Sequence, residues 1–197
     1  MVSESRRPET GYRNQQSRRL IMQDHLVFTL AGPDRIGIVD RVTEIVLRYQ
    51  GNVEESRMAR LGGDFAMIML ISVPAESTSR LTDDLSVFDK DGFQILTRKT
   101  VSDSEKFKGW VPYRVLVQGA DHEGIINSMT HDFAARGINI ESLTTDSFQA
   151  PMSGTCIFSM EAIVFVPPDF SVHEWKKDLM AVAELVNVDL EVSPYKG

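Results

Sequence analysis

Apolar residues recur along this chain first at strand spacing and then at helical spacing, in an order that the two halves share. Between Ile36 and Tyr49 they fall on one face of a helix: Ile38, Val42, Ile45, Val46 and Tyr49. The run Phe65–Val73 is apolar without polar alternation, which predicts a strand well inside a sheet and covered on both faces.

The same reasoning assigns six elements to each half. In the first half we predict strand Leu26–Ala31, helix Ile36–Tyr49, strands Val53–Leu61 and Phe65–Val73, helix Ser77–Phe88 and strand Gln94–Val101. In the second half we predict strand Tyr113–Gln118, helix Ile125–Ala135, a strand from Ile140, strand Thr155–Val166, helix Val172–Val186 and strand Val188–Val192. Gly51 and Gly137 are expected to end the first helix of each half.

The two halves are an internal repeat. Residues 32–54 (GPDRIGIVDRVTEIVLRYQGNVE) align without a gap with residues 119–141 (GADHEGIINSMTHDFAARGINIE) at an offset of 87. Seven of the 23 aligned positions are identical: Gly32, Asp34, Gly37, Ile38, Thr43, Asn52 and Glu54. From Phe65 onward the offset is 93, so the second copy carries six extra residues, which we place within Asp146–Thr155.

The element order predicts an α+β protein of two ferredoxin-like βαββαβ domains, each an antiparallel four-stranded sheet with its helices on one face. We assign residues 1–24 to a basic tail, 25–101 to domain 1, 102–112 to a linker and 113–197 to domain 2. Because the helices cover only one face, the other face is expected to meet the sister copy or another chain, and a homodimer is expected.

Charge and cysteine content restrict the possible functions. The net charge is −7, and residues 1–24 hold five Arg against three acidic residues, so the remaining residues carry about −9. Direct nucleic-acid binding by this acidic body is disfavoured, because it needs clustered Lys and Arg. Cys156 is alone, so no intrachain disulfide or cysteine-based zinc site forms; its apolar surroundings predict a buried side chain.

Several motifs together resemble a known family. A strand followed by G-x-D-x-x-G-I, an amphipathic helix and N-x-E, in a βαββαβ frame, resembles the ACT domain, a small regulatory module that commonly binds amino acids. The tandem arrangement, the segments GPDRIGIVDRVTEIV and ESRMARLGGDFAMIML, and the PMSGT loop resemble the glycine cleavage system transcriptional repressor group. The resemblance covers about residues 25–195 and implies sensing of an amino acid linked to glycine or one-carbon metabolism.

The loop after each first strand is the candidate ligand site. Its residues are Asp34, Arg35, Ile36, Gly37 and Ile38 in the first copy, and Asp121, His122, Glu123, Gly124 and Ile125 in the second. Unpaired N–H groups at a helix N-terminus suit a ligand carboxylate, and an aspartate suits a ligand ammonium. Equally, Asp34 and Asp121 could serve as helix N-caps, and Gly37 and Gly124 could permit close helix–sheet packing.

Two further positions complete the candidate site. Asn52 and Asn139 begin the second strands, where they are either turn residues or, as the resemblance implies, residues lining a ligand site or a domain interface. The second copy has Glu123 where the first has Ile36, so the two loops need not bind the same ligand.

No pattern of a catalytic or metal site accompanies these loops. The histidines have no ligand-like spacing, and neither a nucleophile elbow nor a phosphate-binding glycine loop occurs. We therefore expect a non-enzymatic, cytoplasmic regulator of transcription or of a partner protein, without cofactor, metal or membrane attachment. The alternatives are a ligand-independent interaction module, a repressor that contacts DNA through the basic tail, and organelle targeting by that tail.

Overall fold

The computed structural model describes residues 22–101, 106–151 and 154–196. The chain divides after residue 102 into two compact units. Most of the predicted basic tail (residues 1–21) lies outside the described residues. No helix in the described ranges is long and apolar enough to cross a membrane.

The first unit (unit 1) has the predicted βαββαβ order. Its elements are β1 (Gln23–Pro33), α1 (Ile38–Arg48), β2 (Asn52–Leu61), β3 (Asp64–Pro74), α2 (Thr78–Leu85), α3 (Val87–Lys90) and β4 (Gln94–Thr100). A single 3₁₀ turn, Ala75–Ser77, precedes α2. The antiparallel sheet has the order β2-β3-β1-β4, so β3 is an interior strand, as its continuous apolar sequence predicts.

Alternation along the strands separates a core face from an outer face. Leu26, Phe28 and Leu30 of β1 are buried and pair with Ile71, Met69 and Met67 of β3 on the core face. The core also contains the apolar stripe of α1: Ile38, Val42, Ile45 and Val46. On the outer face Ile68 is 47% exposed, so the expected cover of this face stays a prediction.

The second unit (unit 2) repeats the arrangement. Its elements are β5 (Val111–Ala120), α4 (Ile125–Ala135), β6 (Asn139–Gln149), β7 (Cys156–Val166), α5 (Val172–Leu185) and β8 (Val188–Pro194), with strand order β6-β7-β5-β8. Just before β5, the Phe107 ring stacks on Phe165 of β7 with centroids 5.8 Å apart. Residues from the predicted linker therefore pack within unit 2.

The extra residues of the second copy lie at the tip of one hairpin. In unit 1 the last β2–β3 pair, Leu61 with Asp64, is followed by the two-residue turn Gly62-Gly63. In unit 2 the hairpin continues by one further pair, Gln149 with Cys156. Residues 150–155 connect that pair, and the predicted PMSGT loop falls there, partly outside the described residues.

The predicted helix Ser77–Phe88 is divided into α2 and α3, and the two ends of α1 also differ from the prediction. Helix α1 begins at Ile38 rather than Ile36, because Gly37 takes a left-handed conformation (φ 87°) that interrupts the helix before it. After α1 the left-handed residue is Gln50 (φ 58°), not Gly51. Gly51 is required for another reason, since an added Cβ would lie 2.9 Å from Val46 Cγ1.

Candidate functional site

The candidate loop of unit 1 connects β1 to α1 and is tied to the neighbouring hairpin. The Asp34 N–H donates to the Gly63 carbonyl at 3.1 Å. The residue at the N-cap position of α1 is Gly37, and no side chain caps the helix. The interpretation of Asp34 as an N-cap is therefore wrong, because the left-handed glycine separates Asp34 from the first helical turn.

Unit 2 repeats this geometry. The Asp121 N–H donates to the Cys156 carbonyl at 2.9 Å, and Gly124 (φ 93°) is the N-cap residue of α4, again without a side-chain cap. Asp121 is not an N-cap either. Its carboxylate Oδ2 instead accepts a hydrogen bond from Ser147 Oγ at 3.1 Å and one from Cys156 Sγ at 3.6 Å.

The glycines of the loops serve backbone conformation rather than helix–sheet packing. A Cβ built on Gly37 or Gly124 meets nothing within 4 Å, so the packing interpretation is wrong and both glycines face open space. The first N–H groups of each helix therefore lack side-chain partners and lie beside backbone that a ligand can approach. Close approach matters instead at Gly32 and Gly119, where an added Cβ would lie 2.7 Å from Phe93 Cδ1 and 2.8 Å from Val188 Cγ1.

The other loop residues divide between core and surface. Ile38 and Ile125 are buried in the two cores, whereas Ile36 and Glu123 are exposed. The Arg35 guanidinium lies over the Phe93 ring, 5.2 Å from its centroid. Ile38 and Ile125 therefore anchor the loops, and a ligand can meet the side chains at positions 35, 36 and 123 only from the solvent side.

His122 is fixed by both of its ring nitrogens. Nδ1 lies 2.9 Å from the Glu123 carbonyl oxygen and Nε2 lies 2.7 Å from the Val186 carbonyl oxygen. Both nitrogens donate only in the protonated ring. The bonds to Glu123 and then Val186 accordingly raise the pKa of His122, with a smaller contribution from the Asp121 carboxylate. The ring thus joins the candidate loop to the C-terminal end of α5.

Asn52 and Asn139 are not brought to these loops within their own unit. Asn52 pairs with Ser72, whereas the loop end of the same sheet is marked by the pair Pro33–Asp64. Eight residues of β3 separate the two ends, or about 26 Å at strand rise. Asn52 lines a separate groove of about 440 Å³ between α1 and the start of β2. Asn139 has the corresponding position in unit 2, where it pairs with Phe165.

Three residues near the aspartates were missing from the predicted site. Arg60 Nε lies 3.8 Å from Asp34 Oδ2, and Ser147 and Cys156 contact Asp121. The repeat offset of 87 makes Arg60 and Ser147 equivalent, so a register comparison of the second strands could have found them. Cys156 is exposed rather than buried, because it occupies the extra pair at the hairpin tip.

The state of the Cys156 thiol and the metal-binding capacity of the described residues bear on the chemistry of this loop. Local desolvation, together with the hydrogen bond to Asp121 and that residue's negative charge, raises the pKa of the Cys156 thiol, which disfavours the nucleophilic thiolate. Among the described residues, no group of three or more His, Cys, Asp or Glu side chains could hold a metal ion. What each loop does offer is an uncapped helix N-terminus next to a carboxylate.

The fold and these loops resemble those of a tandem ACT-domain protein. The ACT domain family model matches residues 24–95, which covers unit 1, and unit 2 repeats the same strand order and loop geometry.

Known relatives narrow this class. The chain is 30% identical over 126 residues to the glycine cleavage system transcriptional repressor of Escherichia coli, covering 64% of this chain and 66% of the relative. A crystal structure of an unknown protein from Galdieria sulphuraria superimposes with a TM-score of 0.79 at 35% identity, covering 89% of this chain and all of that one. A second crystal structure, described as a candidate glycine cleavage system transcriptional repressor, has a TM-score of 0.66 at 23% identity and covers 89% of this chain and 99% of that one. This chain thus resembles the glycine cleavage system transcriptional repressor.

Proposed function

We propose that this chain is a non-enzymatic regulatory protein that senses a small amino acid through its ACT units. The observation that carries the proposal is the loop that recurs in both units, in which a left-handed glycine leaves a helix N-terminus uncapped beside an aspartate. The helix N-terminus is suited to the ligand carboxylate and the aspartate to the ligand ammonium.

The output of such a sensor is regulation of gene expression or of a partner of glycine and one-carbon metabolism, in keeping with the name of the Escherichia coli relative. A bound ligand shifts the protein toward the conformation that binds the ligand more tightly, and this shift changes the affinity of the protein for a partner. We place the protein in the cytoplasm as part of this proposal. We also propose a homodimer, since the outer face of unit 1 presents Ile68 and Leu96 to solvent.

The proposal is tested by a thermal-shift screen of the full chain against the twenty amino acids at millimolar concentration, followed by calorimetry. A ligand at a hundred times its dissociation constant stabilises the folded state by about 2.7 kcal/mol, which raises the melting temperature measurably. We expect one or a few small amino acids to do so, and we expect the double variant with Asp34→Ala and Asp121→Ala to abolish the shift.

One control variant and two contrary outcomes separate this function from its alternatives. Asp146→Ala removes a carboxylate elsewhere on the exposed part of β6 and should leave the shift intact. A flat response to every amino acid would contradict the sensor and favour a ligand-independent interaction module. Salt-dependent DNA binding that is lost on deleting residues 1–21 would instead favour a repressor that contacts DNA through its tail.

A further inference from the structure

The two units differ at a position of the second strand whose side chain faces the equivalent aspartates, Asp34 and Asp121. Arg60 pairs with Phe65 in unit 1, and Ser147 pairs with Phe158 in unit 2. Phe65 and Phe158 are themselves equivalent in the repeat, at the offset of 93. The strand register therefore places the Arg60 and Ser147 side chains at the same site beside Asp34 and Asp121.

In unit 1 the aspartate is accompanied by positive charge. Arg60 Nε lies 3.8 Å from Asp34 Oδ2. Arg35, the residue next to Asp34, stacks on Phe93 and adds a second guanidinium at the loop. Asp34 is thus paired with a permanent cation, and a ligand ammonium that approaches it meets like charge.

In unit 2 the two side chains that contact the aspartate directly are neutral donors. The contacts from Ser147 Oγ and Cys156 Sγ both reach Oδ2 of Asp121. A carboxylate has about four acceptor positions on its two oxygens, so these contacts leave capacity for an ammonium. The neighbouring His122 directs both of its ring nitrogens to the carbonyls of Glu123 and Val186, not to Asp121.

From this difference we infer that position 60 in unit 1 and position 147 in unit 2 determine which unit accepts an amino acid: Ser147 makes unit 2 the amino-acid site, and Arg60 excludes the ligand ammonium from unit 1. This inference rests on the proposed function, since it specifies which of the two loops does the sensing. The ligand class of unit 2 is a zwitterion with an α-ammonium and an α-carboxylate.

Exchange of the two residues should not perturb folding. The side chains of Arg60 and Asp34 are 64% and 43% exposed, and Ser147 is exposed as well. Exposed ion pairs of this kind contribute little to stability. The exchange should affect ligand binding more than stability. A ligand ammonium would have to bind Asp34 next to the Arg60 guanidinium, which repels it.

The test uses the full chain, calorimetry and two-dimensional amide NMR, with the tightest amino acid of the thermal-shift screen as probe. In the wild type we expect one site per chain and ligand-dependent shifts at the Gly124 amide but not at Gly37. Ser147→Arg should weaken binding at least tenfold, and its matched control Ser147→Thr, which keeps the hydroxyl, should bind within about twofold of the wild type.

The reciprocal variant tests the inference from the other side. Arg60→Ser should create a second site and ligand-dependent shifts at the Gly37 amide, whereas Arg60→Lys should not. Equal binding by both units of the wild type, or undiminished binding by Ser147→Arg, would overturn the inference and leave the sensor function standing. Absence of amino-acid binding in the wild type and in both exchange variants would overturn the function and the inference together.

Discussion

The two units use the same backbone but fasten their helices with different chemistry. At the repeat offset of 87, Ile45 of the unit 1 core corresponds to Asp132 of unit 2, which is buried. Asp132 accepts hydrogen bonds from Trp175 Nε1 at 3.1 Å and from Arg136 Nε at 2.9 Å. In unit 1 both Ile45 and Leu81, which precedes Asp84 by three residues as Trp175 precedes Asp178, are buried in the core.

The surface ends of the same helix pairs also correspond. Tyr49 donates to Asp84 at 2.7 Å in unit 1, and Arg136 donates to Asp178 at 3.0 Å in unit 2. Apolar side chains in the core of unit 1 are thus replaced in unit 2 by the hydrogen-bonded pair Asp132 and Trp175. The hydrogen bonds to Asp84 and Asp178 at the surface ends of the helices are equivalent in the two units. The comparison shows that the scaffold tolerates either solution at this position, because the buried carboxylate of Asp132 has hydrogen-bond partners.

The largest predicted effect comes from breaking the polar pair of unit 2. Trp175→Leu leaves a void and removes a donor from Asp132, so we expect a loss of about 3–5 kcal/mol in the free energy of unfolding. The added change Asp132→Ile recreates the apolar pair of unit 1 at similar total volume and should recover part of that loss. Urea unfolding followed by circular dichroism measures the free energy of unfolding of each variant. If the loss in the double variant equals the sum of the losses in the two single variants, the Leu–Ile pair does not replace the Trp175–Asp132 pair.

Next in size are the glycines at which two strands approach closely. Gly119→Ala places a Cβ 2.8 Å from Val188 Cγ1 and 3.1 Å from the Asn187 carbonyl oxygen, and Gly32→Ala places one 2.7 Å from Phe93 Cδ1. We expect each to cost about 1–3 kcal/mol in the same unfolding experiment. Gly63→Ala, where an added Cβ meets nothing within 4 Å, is the control. Loss of stability in only one unit would show that the two strand contacts are not equivalent.

A smaller effect is expected at the N-cap glycines. Gly37→Ala and Gly124→Ala introduce no clash but force alanine to adopt a left-handed conformation (φ 87° and 93°). The expected cost is about 1–2 kcal/mol in each unit, measured as a fall in melting temperature. Equal costs would support a shared loop geometry. An unaffected melting temperature would mean that the loop can rearrange around the new side chain.

The smallest effect is the pH dependence that arises from His122 in unit 2. The folded-state pKa of His122 is raised, so its contribution to stability is complete below the ordinary pKa of 6.5 and is lost as the pH rises through the higher folded-state value. At the equivalent position unit 1 has Arg35. NMR titration of the His122 ring should give a pKa above 6.5. A value at or below 6.5 would contradict the double hydrogen bond.

The repeat made much of this fold accessible from the sequence. The order of elements, the interior position of β3 and the bounds of α4 followed from periodicity and were confirmed. The exchange of glycine roles after α1 could not be foreseen, because Gln50 accepts a left-handed conformation where unit 2 has Gly137. Propensity favours glycine there, but tertiary contacts at Gly51 require the glycine one residue later.

The candidate site was accessible only in part. Local patterns identified the loops, because Asp34 and Gly37 are adjacent in sequence to the helix that they precede. They could not identify Arg60 or Ser147, which reach the loop from another strand through the register of the sheet. The exposure of Cys156 depends likewise on the extra strand pair, which no apolar pattern within β7 indicates.

That hairpin tip also bears on engineering. The two units differ there by six residues, yet the pairs Leu61–Asp64 and Phe148–Ile157 remain equivalent, because all the extra residues lie beyond them. Insertions at Gly62-Gly63 should therefore leave the sheet in register. In the Arg60→Ser variant, a circularly permuted fluorescent protein placed between these glycines would sit next to the Asp34 loop and convert occupancy of that loop into an optical signal.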